Sequence, residues 1–163
     1  MAMQSLDDLF VHELKDVYDA EHQVINALPK MAQAANASDL QSAFEEHLEQ
    51  SQGHIDRLKQ IFELLERKPA RETCAGMKGI IEEGQKALEE DMSDAVRDAA
   101  LIAAAQRVEH YEMAGYGTLR TYAHLLGHAD AAQLLQQILD EEEITDKKLS
   151  QLANSVNQAA LGS

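Results

Sequence analysis

Residues 98–127 read DAALIAAAQRVEHYEMAGYGTLRTYAHLLG, a run rich in alanine and leucine that contains no proline. Such residues favour helix, and Gly127 is a typical residue to follow the end of one. Apolar residues recur along one face of the predicted helix at Ile102, Ala105, Met113 and Tyr116. Glu109 and Glu112 lie three residues apart on that same face. The run therefore predicts a core helix with acids in its middle.

The rest of the chain extends this pattern to four long helices. Apolar residues at spacings of three and four predict helices over about 6–35, 39–67, 93–126 and 130–154. Ser5 is a good N-cap for the first. Pro29 lies inside the first run, where we expect it to kink or divide the helix. Ser38 with Gln41 has capping-box spacing at the start of the second helix.

The connection between the second and third long helices exceeds 20 residues and contains a short helix over about 77–90. Short loops elsewhere force antiparallel neighbours, whereas this crossover can return along the bundle, which is the ferritin-like connection order. A short repeat supports it, since 20–22 resembles 108–110. We predict an all-α, ferritin-like antiparallel four-helix bundle with a long crossover containing a short fifth helix, as a single domain over residues 1–163.

Composition and charge exclude several classes of function. The 163 residues carry 29 acidic and 14 basic side chains, a net charge of −15, which disfavours nucleic acid and anionic membranes as partners. No apolar run of transmembrane length and no secretory signal is evident. Cys74 is the single cysteine, so no internal disulfide can form and a reducing compartment is expected.

Acids interrupt the predicted core faces of three helices at mid-length. They are Glu21 in the first helix, Glu109 and Glu112 in the third, and Glu142 and Asp146 in the fourth. In the second helix the face passes through Ser51, with His47 and His54 at its edge. Buried carboxylates must be protonated, paired with cations or bound to metal. Bound metal is the most economical explanation of the buried acids, because carboxylate with imidazole suits iron or manganese. A small error in helix phase would instead place Glu112 or Asp146 in solvent.

Three segments carry a resemblance to a known family. They are residues 98–127, LPKMAQAANASDLQSAFEEHLEQSQGHIDRL at 28–58 and LLQQILDEEEITDKKL at 134–149. They resemble the YciE/YciF family of bacterial stress-associated, ferritin-like proteins. The resemblance covers nearly the whole chain and implies a cytoplasmic, dimeric, rubrerythrin-like four-helix bundle.

The resemblance also implies a ligand set for one or two iron or manganese ions. Carried over by position, the set is Glu21, His54, Glu109, Glu112, Glu142 and Asp146, the last where a histidine would be. The second helix departs from the pattern, because Gln50 and Ser51 stand where a glutamate is expected. This departure makes a mononuclear site a serious alternative. The chain lacks the cysteine-rich module of true rubrerythrins, so it has no electron entry of its own. Electrons would come from a separate redox partner, which is unknown.

The sequence leaves competing functions open. The leading hypothesis is a stress-defence metalloprotein that oxidises Fe(II) or removes peroxide at a two-metal site. The alternative is a non-enzymatic bundle with a decayed metal site that acts through protein–protein interaction. A cage for iron storage or DNA protection is a third reading, and the negative charge argues against its DNA part.

Overall fold

The computed structural model describes residues 3–162 and contains five helices. They are α1 (Leu6–Ala34), α2 (Ser38–Leu64), α3 (Ala75–Glu89), α4 (Asp94–Leu125) and α5 (Ala129–Ala160). No strand occurs within the described residues. The all-helical class is confirmed, with a short helix between the second and third long helices. The predicted domain limits, residues 1 and 163, lie outside the described residues.

The helix ends follow the sequence signals in part. Ser5 caps α1 through a capping box, in which Asp8 N–H donates to Ser5 Oγ and the Asp8 side chain accepts from Ser5 N–H. Gly127 follows α4 with φ +78°, a left-handed conformation that glycine adopts without steric cost. The predicted cap at Ser38 is wrong, since Ala37 is the N-cap of α2. Asp98 of α4 holds this turn instead, accepting from Ala37 N–H at 2.8 Å.

Two other expectations about helix length are corrected. Pro29 does not divide α1, which continues through it to Ala34. Pro29 has no N–H to donate to the carbonyl of residue 25, so α1 lacks one backbone bond there and still continues for another five residues. The last helix does not fray at residue 154, because α5 continues to Ala160 and buries Val156.

Each long helix packs against two others. The α1 helix contacts α2 and α4, the α5 helix contacts α2 and α4, and α3 lies across α1 and α4. The buried apolar residues form two clusters: one includes Phe10, Phe62 and Leu135, and the other includes Leu28, Phe44, Leu101 and Leu149. Along α2, α4 and α5, buried polar residues separate the two clusters. The core is thus divided by a polar layer at mid-height.

The crossover is held on α1 by a buried carboxylate. Asp19 accepts from the Cys74 N–H at 2.8 Å, from Gln23 Nε2 at 2.7 Å and from Arg71 Nε at 2.9 Å. Burial raises the pKa of Asp19, but these bonds outweigh burial and lower it overall. These contacts therefore fix the segment before α3 against α1. None of the described helices is long and apolar enough to cross a membrane.

Candidate metal centre

Seven polar side chains form the layer between the two apolar clusters. All are at most 3% exposed, and they are Glu21, His47, Ser51, His54, Glu109, Glu112 and Glu142. They share the layer because each continues the inward face of its helix. On α2, for example, residues 47, 51 and 54 lie at spacings of four and three. Four of the seven are carboxylates in a site closed to water, which is an expensive arrangement unless something compensates the charge.

The potential ligand atoms form two overlapping groups, each with all its atoms within 4.8 Å of one another. We call the first the His54 group; it consists of Glu21, His54 and Glu142. We call the second the His47 group; it consists of His47, Glu109, Glu112 and Glu142. Glu142 belongs to both, so its two oxygens lie between two positions that suit a cation.

Side chains that do not belong to the His54 group hold His54 in position. His54 Nδ1 lies 3.0 Å from Glu21 Oε1 and 3.0 Å from Glu142 Oε1. The other ring nitrogen, Nε2, is 2.8 Å from Glu141 Oε2, and Glu141 in turn forms an ion pair with Arg57 at 2.7 Å. A carboxylate on the outer nitrogen is the usual way to orient a metal-binding histidine.

The same partners determine the charge of His54. Burial lowers its pKa, but the charge of Glu21 and the contacts with Glu142 and Glu21 raise it more strongly, to about 11. Without metal, His54 is therefore the cation that faces these carboxylates. Tyr116, which is fully buried, donates its hydroxyl to Glu21 Oε1 at 2.6 Å and orients that carboxylate.

The His47 group has much less support. His47 Nδ1 lies 2.9 Å from Glu109 Oε1 but is not aligned for a hydrogen bond, and its Nε2 lies 3.7 Å from Glu142 Oε2, which is too far for one. Burial lowers the pKa of His47, which favours the neutral ring that binds metals. Burial raises the pKa of Glu109 and of Glu142 to about 7, and that of Glu112 well above its usual value.

Buried carboxylate oxygens that accept no hydrogen bond are the strongest indication that a cation fits the polar layer. Among residues 3–162, seven buried carboxylate oxygens accept no aligned hydrogen bond: Glu21 Oε2 and both oxygens of Glu109, Glu112 and Glu142. Two of them, Glu142 Oε1 and Glu109 Oε1, still lie within 3.0 Å of a histidine nitrogen. The Nε2 atom of His47 is unpartnered as well. Native proteins rarely leave buried polar atoms unsatisfied. These atoms are hard oxygen and imidazole donors, so the set fits iron or manganese.

The structure brings together five of the six predicted ligands, namely Glu21, His54, Glu109, Glu112 and Glu142. Asp146 is not among them. It lies 3.2 Å from Gln106 Nε2 and 3.2 Å from His110 Nε2 on the outer side of α4 and α5. Thr145, the neighbouring residue, faces inward instead and donates to Gln50 Oε1 at 3.0 Å.

His47 is the site residue that sequence reasoning missed. It lies seven residues before His54, which is two helical turns and therefore the same face of α2. This seven-residue spacing is the sequence signal that identifies His47 as a candidate ligand. Ser51 lies between the two histidines, and its buried Oγ has no hydrogen-bond partner. The α2 helix thus supplies two imidazoles where a carboxylate and an imidazole were expected.

The fold and the site define an all-helical protein whose long helices enclose a buried cluster of carboxylates and imidazoles. The chain belongs to the family described as Domain of unknown function (DUF892), whose model matches residues 5–161. It is 48% identical to Protein YciF of Escherichia coli K12 over 162 residues, which is 98% of both chains. The resemblance to the YciE/YciF family is thereby confirmed.

Solved structures agree with this assignment. The crystal structure of the E. coli stress protein YciF matches with a TM-score of 0.93 and 46% identity, covering 96% of this chain and 99% of that one. YcfI from Rhodopseudomonas palustris matches with a TM-score of 0.89 and 43% identity, covering 90% of this chain and 94% of that one. A Xanthomonas campestris protein, 21% identical over 96% of both chains, shares the fold with a TM-score of 0.77.

Proposed function

We propose that this chain is a ferritin-like metalloprotein of bacterial stress defence that holds one or two iron or manganese ions in the polar layer. The observation that carries the proposal is the convergence of four buried carboxylates and two imidazoles, with seven carboxylate oxygens that accept no aligned hydrogen bond among residues 3–162. Two divalent cations would match the four carboxylates in charge, which offsets the cost of burying them. The alternative state is metal-free, with protons on Glu109, Glu112 and Glu142.

The residues of the site have distinct roles in this proposal. Glu21, His54 and Glu142 would hold one ion, and His47, Glu109, Glu112 and Glu142 would hold the other. When bound, iron supplies the redox chemistry needed for Fe(II) oxidation or peroxide removal. The protein excludes water from the layer, orients Glu21 through the Tyr116 hydroxyl, and fixes the outer nitrogen of His54 through Glu141.

The packing of the helices supports the ferritin-like part of the proposal. The contacts of α1 with α2, α2 with α5, α5 with α4 and α4 with α1 support a ring of four helices, with short turns between α1 and α2 and between α4 and α5. Short turns make those pairs antiparallel, and the segment with α3 serves as the crossover. We propose one such domain over residues 1–163.

Metal titration into metal-stripped protein tests the proposal. Isothermal titration with Mn(II) or anaerobic Fe(II) should show saturable binding of one or two ions. Glu142→Ala should abolish binding at both positions, because Glu142 belongs to both groups. Glu143→Ala is the matched control, since Glu143 is the exposed neighbour on the same helix. Absence of binding by the unaltered protein would overturn the proposal.

One observation favours a second function. Gln50 and Ser51 stand on α2 where the resemblance leads us to expect a glutamate, so the layer lacks a carboxylate from that helix. A non-enzymatic bundle acting through protein–protein interaction would explain this loss. In that case Glu142→Ala would still restore stress survival to a strain that lacks the protein, whereas the metalloprotein proposal predicts that it fails.

Assembly and location are part of the same proposal. The family resemblance implies a homodimer in the cytoplasm, supplied with electrons by a separate redox partner. Light scattering of the purified protein should give twice the 18.0 kDa mass of one chain. A 12- or 24-subunit mass would instead indicate a storage cage.

A further inference from the structure

An apolar pocket lies under the crossover helix and reaches the ligands. Between α1, α3 and α4 there is a cavity of about 40 Å³ that is partly open to solvent. Its walls include Val24, Leu28, Ile80, Leu101 and Val108. The polar layer contributes His47 and Glu109 to the same lining, so the pocket reaches the His47 group and not the residues found only in the His54 group.

Small residues create this space. A Cβ atom built on Gly84 of α3 would lie 3.3 Å from Cβ of Ala104 on α4, so these two helices approach closely with no side chain between them. Ala27 of α1 and Ala105 of α4 also line the pocket. Larger residues at these positions would fill it. The cavity is small, so it suits a gas-sized molecule or a single alkyl chain.

The polar atoms of the pocket lie at its two ends. Lys30 and Gln85 are exposed, so they lie at the outer rim. His47 and Glu109 are buried, so they lie at the inner end, where His47 Nε2 and both Glu109 oxygens have no hydrogen-bond partner. The walls between offer no compensation for the lost hydration of a charged molecule. The apolar walls therefore favour an apolar molecule over a charged one.

We propose that this pocket binds a slim, uncharged, apolar molecule and admits it to the His47 end of the metal centre. Binding in the pocket is independent of metal, whereas admission to a metal rests on the proposed function. Two sources share this chemistry, a gas-sized molecule and a single alkyl chain. They differ in length, so probes of different length distinguish them.

Methyl NMR of the metal-free protein tests the binding site. Under xenon pressure, and separately with 1-octanol, the methyl signals of Leu28, Ile80 and Leu101 should shift in a saturable manner. Shifts with xenon alone indicate a gas-sized occupant, and shifts with both probes indicate an alkyl chain. No shift at these methyl groups, or shifts of equal size over the whole surface, would overturn the proposal.

A pair of variants one residue apart makes the test specific. Ala104→Leu should fill the pocket and abolish the shifts, while Ala103→Leu makes the same change on the exposed side of α4 and should leave them intact. Ala27→Leu, at a half-buried position on α1, serves if Ala104→Leu loses its helical circular dichroism. Shifts that persist in both folded pocket variants would overturn the proposal.

Metal titration separates this inference from the proposed function. Neither Ala104 nor Ala103 is a ligand, so both variants should bind Mn(II) with unchanged stoichiometry. In iron-loaded protein, Ala104→Leu should slow the oxidation of bound Fe(II) by dissolved dioxygen relative to Ala103→Leu. Equal rates would overturn the admission role. Xenon binding without any metal binding would overturn the proposed function while the apolar site stands.

Discussion

The His54 group and the His47 group share Glu142 but differ in how their remaining atoms are held. In the first, Glu141 contacts the outer nitrogen of His54 and Tyr116 donates to Glu21. In the second, the oxygens of Glu109 and Glu112 accept no aligned hydrogen bond from residues 3–162. One position is therefore oriented before a cation arrives, and the other depends on the cation and borders the apolar pocket. We expect the first to be better ordered before metal binds and the second to be more open to reactants.

Removing a ligand that belongs to one group only should give the largest difference in metal content between the two groups. Glu109→Ala should eliminate the ion of the His47 group and retain the ion of the His54 group, because Glu109 belongs only to the former. Metal analysis after dialysis should then find half the ions of the unaltered protein. Glu143→Ala, on the exposed face of α5, should lose none. Loss of both ions from Glu109→Ala would show that the two groups do not act separately.

Acid should weaken the His47 group next most strongly. Burial raises the pKa of Glu109 and Glu142 to about 7, so metal must displace protons below that pH. Each displaced proton costs about tenfold in affinity per pH unit. The Mn(II) affinity of this group should fall steeply between pH 7 and pH 5. A flat profile would mean that these carboxylates are not ligands.

The metal-free protein should show the opposite pH dependence in its stability. Between the ordinary carboxyl pKa of 4.5 and about 7, Glu109 and Glu142 hold protons in the folded state that the unfolded state lacks. Stability therefore falls as pH rises through this window. His54 acts in the same direction, since its raised pKa of about 11 adds stability that is complete below its unfolded pKa of 6.5 and declines above it. Thermal unfolding should give a higher Tm at pH 5.5 than at pH 8 without metal.

Removing the contact between Glu141 and His54 should have a smaller effect, which is limited to the His54 group. Glu141→Gln keeps the shape of the side chain but removes the charge that fixes His54 Nε2. Changes to such supporting groups cost about 10–100-fold in metal affinity. Calorimetry should find this loss at the His54 group and an unchanged His47 group. Equal weakening of both would contradict the distinction between them.

The smallest effect should come from the tyrosine hydroxyl. Tyr116→Phe removes one donor to Glu21 and leaves a buried oxygen less satisfied, at a cost of about 1–3 kcal/mol. Denaturant unfolding of the metal-free protein should detect this loss. Tyr122→Phe is the control, since the Tyr122 hydroxyl has no hydrogen-bond partner among residues 3–162. Metal stoichiometry should be unchanged in both variants.

Helical periodicity was sufficient to predict the helices and the charged layer. Glu21, Glu109 and Glu142 each replace an apolar residue on an otherwise regular face, so their burial followed from spacing. The helix caps were less predictable, because Asp98, a residue distant in sequence, holds the turn that Ser38 was expected to cap. Such a contact depends on packing between helices and leaves no local signal.

The details of the ligand set depended on small rotations about the helix axes. Asp146 and Thr145 differ by one position, or about 100° around α5, and packing against α2 and α4 places Thr145 inward. Ser51–His54 and Glu142–Thr145 each keep half of the Glu-x-x-His motif of di-metal bundles. His47 lies one turn before Ser51 on α2 and, with the five predicted ligands that the structure brings together, gives six donor residues. Sequence comparison by position alone misses substitutions made one turn away.

Anomalous diffraction from a crystal soaked in Mn(II) tests the metal centre most directly. We predict two peaks within ligand distance of Glu142, one beside His54 and Glu21 and the other beside His47 and Glu109. A well-ordered map with no anomalous peak in this layer, and with neighbouring carboxyl oxygens close enough to share protons, would contradict the proposal.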